Sequence, residues 1–374
     1  MSALNRRQWL QRSLLASSAV LLSSHTNLLN QAVGELKNPD HPLLRLNWNE
    51  NPLGPPKSAV KAVTEALVEA NRYPDFKIAA LKKKLAQRHQ VNEDELMITA
   101  GSTELLSLLG QHVGLQKGQI LTPWPSFPTL IRFGELSGAT IKKVDLNSQG
   151  VIDLEALKQA ISQNTTLIFL CNPNNPPSTE VRHEELVEFC KMVPSGVLLC
   201  VDEAYIQYSE KGEAGSVIKL IRDMPNLVVC RTFSKAYGLA GLRIGYGLSQ
   251  KANIDALRSR HLGFELSAGI APVTGAMAAL DDSKFLQQCI DANQKGRQIL
   301  YNAFDKWGVV YNKSATNFVY AKSDRFHQEV VAKLRKEEVL ISQWPGIMTG
   351  HIRISIGKEQ EMHQFVEAVE KYLI

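Results

Sequence analysis

The chain has 374 residues, 44% of them apolar and 21% charged, with a net charge of +5. That is the composition of an ordinary globular protein with room for two domains and a substantial core. The positive charge is slight and scattered, and its densest run, Lys82-Lys83-Lys84, reads as a solvated helix face, so no nucleic-acid partner is expected.

Five cysteines (Cys171, Cys190, Cys200, Cys230, Cys289) show no CxxC spacing, and several lie in apolar runs. They read as small core residues, and nine histidines without an HExxH pair add no metal site.

Residues 1–33 differ from the rest of the chain. Asn5-Arg6-Arg7-Gln8-Trp9-Leu10 precedes a short apolar run, Leu14 to Leu22, and no acidic residue appears until Glu35. A basic region before a modest apolar run is the layout of a secretory leader, and paired arginines followed by an aromatic and Leu resemble the twin-arginine signal. The run is too short to span a bilayer stably. The expectation is a periplasmic protein exported folded through the twin-arginine machinery, or a cytoplasmic one if the leader does not function. Residues 34–75 then form an arm contributing to a small domain and to substrate entry. Within it, Leu46-Asn-Trp-Asn-Glu-Asn-Pro-Leu-Gly-Pro55 crowds turn residues around one carboxylate.

A helix over Lys57–Ala70 is predicted from apolar positions Val60, Val63, Ala66, Leu67 and Ala70, and a second over Ile78–His89. From there the pattern alternates. The strand Glu95–Ala100 leads through Gly101-Ser102-Thr103-Glu104 into the helix Leu105–Val113; such a turn offers free N–H groups and two hydroxyls to a phosphate. Further apolar runs come at 119–122, 140–144, 166–170, 197–201, 227–230 and 244–248, with helices at 154–162 and 184–192 between some of them. Continuous apolar strands alternating with helices predict an α/β domain (76–270) on a mostly parallel sheet, with its ligand at the carboxyl ends of the strands. Beyond it, residues 271–374 read as a small α+β domain.

Each chemical cluster falls after a strand: Pro123-Trp-Pro-Ser-Phe127-Pro, Cys171-Asn-Pro-Asn-Asn175-Pro-Pro-Ser178, and Val201-Asp202-Glu203-Ala204-Tyr205. The last is Arg231-Thr232-Phe-Ser234-Lys235, with Arg243 eight residues past the lysine. A lysine among small residues after a strand can act as an amine nucleophile towards a carbonyl once its pKa is lowered. Hydroxyls and an arginine are the groups that gather round a phosphate. Aldehyde and phosphate together point to pyridoxal 5′-phosphate. Arg353, within an otherwise apolar or small strand, calls for an anionic partner, either a structural carboxylate or that of a substrate.

With these motifs assembled, the chain resembles the fold-type I pyridoxal-phosphate-dependent aminotransferases, and among them the histidinol-phosphate aminotransferase-like group. The resemblance runs from about Leu46 to the C-terminus and also rests on Arg72-Tyr73-Pro, Thr316-Asn-Phe-Val and Ile352-Arg353-Ile. It implies a mostly parallel seven-stranded sheet in the large domain and an aminotransferase acting on an amino acid and a 2-oxo acid. Carried over, Lys235 forms the Schiff base and shuttles the proton, and Asp202 pairs with the protonated pyridine nitrogen. Tyr205 and Asn175 bond the ring oxygen, and Phe127 stacks on the ring. Gly101, Ser102, Thr103, Thr232, Ser234 and Arg243 hold the phosphate, and Tyr73 reaches it from the second subunit of a homodimer. Arg353, with Asn49 and Asn175, takes the substrate.

Two departures bear on the substrate. The family usually reads Asn-Pro-Thr-Gly where this chain has Asn175-Pro-Pro-Ser178, and Ser342 falls where histidinol-phosphate enzymes tend to carry a second arginine. The expectation is a different amino donor. A decarboxylase resembling threonine-phosphate decarboxylase, a racemase or cyclase, and an exported binding module are the competing readings.

Overall fold

The computed structural model describes residues 43–261, 266–323, 326, 328–343, 347 and 349–373. The leader (1–33) and the arm before residue 43 lie outside them. In chain order the first elements are β1 (Leu44–Leu46), α1 (Lys57–Ala66), α2 (Asp75–His89), β2 (Leu96–Thr99), α3 (Ser102–Leu115), β3 (Gln119–Trp124), α4 (Thr129–Leu136) and β4 (Thr140–Asp145). Next come α5 (Leu154–Ala160), β5 (Thr165–Cys171), α6 (His183–Met192), β6 (Leu198–Asp202), β7 (Leu227–Thr232), β8 (Gly245–Ser249), α7 (Lys251–Arg258) and α8 (Ile270–Asp281). The chain closes with α9 (Ser283–Trp307), β9 (Val310–Tyr311), β10 (Phe318–Lys322), α10 (Gln328–Lys336), β11 (Val339–Ile341), β12 (His351–Ser355) and α11 (Glu359–Leu373).

Seven strands form one sheet in the order β2-β8-β7-β6-β5-β3-β4, parallel except for β8, which runs antiparallel to both neighbours. Its central strands are buried on both faces, which is why they read as unbroken apolar runs. One face packs Leu199, Val201, Leu227 and Val229 against α2, α6 and α8. The other packs Cys200, Val228 and Cys230 against α3, α4 and α7. Successive residues of a strand point to opposite layers, so side chains past the strand ends also divide between two faces.

A second core is built by α9, α10 and α11 on the antiparallel sheet β12-β10-β9, with Leu44 and Leu46 of β1 joining it. β1 pairs in parallel with β11, which carries the arm from the N-terminal side into the small domain. The boundary differs from the expected 270/271: Val273, Ala276, Ala279 and Leu280 of α8 sit in the large-domain core. The small domain begins with α9, whose first turn is capped by Asp282 Oδ1 accepting from the Phe285 N–H at 3.0 Å.

Three further differences are physical. α4 and α7 were absent from the predicted pattern; the first hides behind the proline-rich segment before it. The helix expected over 57–70 stops at Ala66 and tightens into a 3₁₀ turn, Leu67–Glu69. Its core contact is made by Ala59 and Ala66, whereas Val60, Leu67 and Val68 stay exposed, together with Tyr73 and Phe76.

Candidate active site

The ends of β5, β6 and β7, the start of α3 and the arm enclose a cavity of about 450 Å³. Three groups of side chains line it.

At one end is an anion cup. Gly101 caps α3 with φ +81°, and a Cβ there would lie 2.4 Å from Arg243 Nη2, so only glycine lets the guanidinium lie against the turn. Ser102 and Thr103 open the helix, whose first N–H groups have no intrahelical acceptor and meet the positive end of the dipole. Thr232 Oγ1 donates to Ser234 Oγ at 3.0 Å, and Arg243 Nη1 reaches the Ala240 carbonyl at 3.1 Å and Ser234 Oγ at 3.4 Å. β8 runs antiparallel, so its start lies beside the end of β7, and Arg243 returns to the rim that carries Lys235.

In the middle stand an amine, an acid and a phenol. Lys235 Nζ donates to the main-chain oxygens of Trp48 at 3.3 Å and Asn49 at 3.2 Å. Burial, then the charge of Arg353, lowers its pKa to about 7. Asp202 is 2% exposed, and its Oδ1 accepts from the Ala204 N–H at 3.1 Å. Burial pushes it up to about 7. The Tyr205 hydroxyl accepts from Asn49 Nδ2 at 3.0 Å and Asn175 Nδ2 at 3.4 Å, and its ring meets Phe318 edge-on. Burial raises the phenol pKa. Phe127 is half-buried in the same wall, which also holds the Cys171 thiol, kept protonated by its burial.

At the third side, Arg353 is buried at 2% exposure. Its Nη1 donates to Asn175 Oδ1 at 2.6 Å, and its Nη2 to the Asn47 carbonyl at 2.9 Å and Ser342 Oγ at 3.1 Å. Burial lowers its pKa to about 10, which leaves it cationic at neutral pH. Asn49, at φ +54°, is held by Ser355: its N–H donates to Ser355 Oγ at 2.8 Å, and that hydroxyl donates to its Oδ1 at 3.0 Å. Asn317 Nδ2 donates to the Asn49 carbonyl at 2.9 Å. Gly238 (φ +69°) lets the arm close over the lysine loop, because a Cβ there would strike the Gly54 carbonyl at 2.2 Å.

All but two of the residues expected at the site line this cavity. Gly101 supports it from behind Arg243. Tyr73 is 80% exposed on the outer surface of the chain. Arg45, Trp48, Glu50 and Cys171 also line the cavity and had no predicted role. Arg45 Nη2 pairs with Glu50 Oε1 at 2.8 Å near the mouth. Their signal was faint: an exposed arginine between two buried leucines, and the one carboxylate of the turn-rich segment.

The cavity fits a phosphorylated aldehyde on a protonatable ring: an anion cup at one end, an unusually acidic lysine, and a buried carboxylate ready to pair with a cation. Among the described residues there is no cluster of histidine, cysteine, aspartate and glutamate able to hold a metal.

Residues 41–369 match the aminotransferase class I and II family. The chain is 32% identical over 333 residues to histidinol-phosphate aminotransferase of Bacillus velezensis, covering 88% of this chain and 92% of that protein. It is 35% identical over 335 residues to the enzyme of the same name from Symbiobacterium thermophilum, with 89% and 91% covered. Among solved structures, histidinol-phosphate aminotransferase from Sinorhizobium meliloti in complex with pyridoxal 5′-phosphate superposes with a TM-score of 0.80 at 27% identity, over 88% of this chain and 90% of that one.

Proposed function

Because the chain belongs to the class I and II aminotransferase family, we propose that Lys235, Asp202 and Tyr205 are the catalytic centre of this pyridoxal-phosphate-dependent aminotransferase. The observation that carries the assignment is the placing of a lysine with a pKa near 7, a buried carboxylate and an anion cup around one cavity.

When bound, the cofactor supplies an aldehyde that takes up an amine and a ring that draws electrons from the substrate's Cα. The residues do the rest. Gly101, Ser102, Thr103, Thr232, Ser234 and Arg243 hold the phosphate, and Phe127 covers the ring. Asp202 would pair with the ring nitrogen and keep it protonated. Tyr205 and Asn175 bond the ring oxygen. Lys235 Nζ, neutral once burial has lowered its pKa, would hold the cofactor covalently and, freed when the substrate amine takes its place, would accept the proton from substrate Cα. Arg353 clamps the substrate carboxylate, with Asn49 and Asn175 orienting the amine side.

The amino donor in this reading is not histidinol phosphate. Arg353 has Ser342 Oγ at 3.1 Å, a neutral group where a phosphate-binding enzyme of the family tends to add a cation. The test is a donor panel read by absorbance. A bound-cofactor band that bleaches with one donor and returns with a 2-oxo acid identifies the substrate class. A band that shifts without bleaching sinks transamination, and robust rescue of a histidine auxotroph by a leaderless version sinks the donor assignment.

The exposed apolar side chains Val60, Leu67, Val68, Tyr73 and Phe76 support a homodimer in which Tyr73 enters the neighbouring site. Arg6-Arg7-Gln8-Trp9-Leu10 supports export by the twin-arginine route into the periplasm, and all five cysteines are buried and free, as suits a protein folded before export. Cell fractionation of the wild type and an Arg6→Lys/Arg7→Lys variant tests this; equal periplasmic yield would refute it. Among the described residues no helix is long and apolar enough to cross a membrane.

A further inference from the structure

Behind the cavity, on the opposite face of the same strand ends, lies a charged network that the reaction does not use. Register pairs Asp202 with Cys230, so Glu203 and Arg231 are the next neighbours and point together into the other layer. Both are buried, and Arg231 Nε donates to Glu203 Oε2 at 2.8 Å. The Glu203 carboxylate also accepts from Ser216 Oγ at 2.7 Å and the Val217 N–H at 2.8 Å.

The second carboxylate, Glu213, collects groups from both catalytic segments. Its Oε1 accepts from Gln207 Nε2 at 3.1 Å and from the Tyr237 hydroxyl at 3.5 Å. Arg231 Nη1 stands 3.6 Å from the same oxygen. Gln207 lies two residues after Tyr205, and Tyr237 two residues after Lys235. One oxygen atom is thus bonded to the chain on either side of the site. Arg88 Nη2 faces the other oxygen at 3.5 Å from the solvent side. Phe233 and Tyr237 pack at 5.1 Å between centroids, which stiffens the link from strand to lysine loop.

A buried ion pair contributes little net stability compared with apolar packing, because desolvation offsets the attraction. What it does supply is a fixed geometry, and catalysis is sensitive to displacements of an ångström. We infer that Glu213, with the Glu203–Arg231 pair beneath it, is a positioning device that sets the separation between the Tyr205 and Lys235 segments from outside the cavity. Neither carboxylate lines the cavity, so the action of the device on the reaction passes through Gln207, Tyr237 and the two strand ends. The inference rests on the assignment of Lys235 and Tyr205 to the catalytic centre.

The experiment uses the full chain loaded with pyridoxal 5′-phosphate and the donor found in the panel above. Glu213→Ala removes the shared acceptor at a site that is 31% exposed, and Tyr237→Phe removes a single hydroxyl while keeping the packed ring. Glu213→Gln keeps an acceptor oxygen for both segments. The expected result is a fall in kcat of about 10-fold for Glu213→Ala and roughly 3-fold for Tyr237→Phe, with the donor KM within about 2-fold. Glu213→Gln recovers most of kcat. Cofactor affinity, from absorbance titration of cofactor-free protein, weakens several-fold in Glu213→Ala, and borohydride traps less label on Lys235. Unchanged kcat and unchanged cofactor affinity in Glu213→Ala and Tyr237→Phe, with only a lowered Tm in the former, would overturn the inference. Absence of label on Lys235 in the wild type would instead sink the catalytic assignment itself, so the two failures are distinguishable.

Discussion

Arg353 and Asn175 share one short hydrogen bond, Nη1 to Oδ1 at 2.6 Å, and it joins the small domain to the end of β5. The same amide turns its Nδ2 to the Tyr205 hydroxyl at 3.4 Å. Asn175 therefore connects the guanidinium assigned to the substrate carboxylate with the phenol assigned to the cofactor ring.

Replacing Asn175 by Ala removes both bonds at once. A buried hydrogen bond to a charged group is worth about 1.5–3 kcal/mol, so kcat/KM falls by roughly 10- to 100-fold. The loss appears partly in the donor KM, because Arg353 loses the amide that aims it. Steady-state kinetics with varied donor measure this, and a change below about 2-fold would refute the bridging role.

Two groups in the cofactor-free cavity titrate near neutrality with opposite consequences. Asp202 is raised from its ordinary value to about 7 by burial. Between about pH 4 and 7 the folded chain therefore binds the extra proton, and this group's contribution to stability falls as pH rises through that window. Lys235 is lowered to about 7 by burial and then Arg353. Between about pH 7 and 10.5 the unfolded chain holds the extra proton, so that contribution rises with pH. Asp202→Asn should thus raise the Tm of cofactor-free protein at pH 8, by an amount on the order of 1–4 kcal/mol in stability, while abolishing transamination. Scanning calorimetry at pH 5 and pH 8 checks it: the gain should shrink to less than half at the lower pH, where most of the penalty has gone.

Cofactor uptake should follow the lysine. Only the neutral amine attacks the aldehyde, so the rate of reconstitution rises with pH through about 7 and levels off above it. Stopped-flow absorbance of cofactor-free protein measures the profile. A midpoint near the ordinary lysine value would show that burial does not act on Lys235 as the geometry implies.

Ser178 adopts φ +64° and places a buried hydroxyl that has no hydrogen-bond partner among the described residues. Its N–H and C=O are bonded to Asn174 and Ala315 in a way any residue supports. Ser178→Gly relieves the left-handed backbone and the unsatisfied oxygen, against the greater freedom of glycine in the unfolded chain. The net expectation is about 1 kcal/mol of added stability with unchanged kcat, read by denaturant unfolding.

Mixing two inactive variants tests the shared site. Lys235→Ala lacks the nucleophile and Tyr73→Ala lacks the side chain that the proposed homodimer would offer to a neighbour, yet a hybrid of the two would have one site with both. Refolding them together should restore up to about a quarter of wild-type activity. No recovery, with each variant separately folded, would place Tyr73 outside the site.

The sequence carried the cavity better than it carried its scaffolding. Lys235, Asp202 and Arg243 were legible because each follows or precedes an apolar strand in a sheet whose strand ends make the ligand rim. The partners that aim them were not. Asn49 meets Ser355 and Arg353 meets Asn47 across 306 residues of chain, and no local pattern encodes such contacts. The helix after Pro55-Pro56 was readable as a helix, but its apolar positions form two stripes. Ala59 and Ala66 face the core, while the larger Val60 and Leu67 face outward, so periodicity alone could not say which stripe was buried.

The reversed strand β8 has a consequence for how the molecule can work in cycles. Because it doubles back, Lys235 and Arg243 belong to one short excursion of a single domain, and the helix start that completes the anion cup is packed directly on it. The anion cup proposed to hold the cofactor phosphate is therefore built without the small domain. Arg353, Asn47 and Ser342 come from the other side of the cleft, tied across by Asn175. Parting the two domains would loosen the jaw that holds each passing substrate and leave the permanent tenant in place.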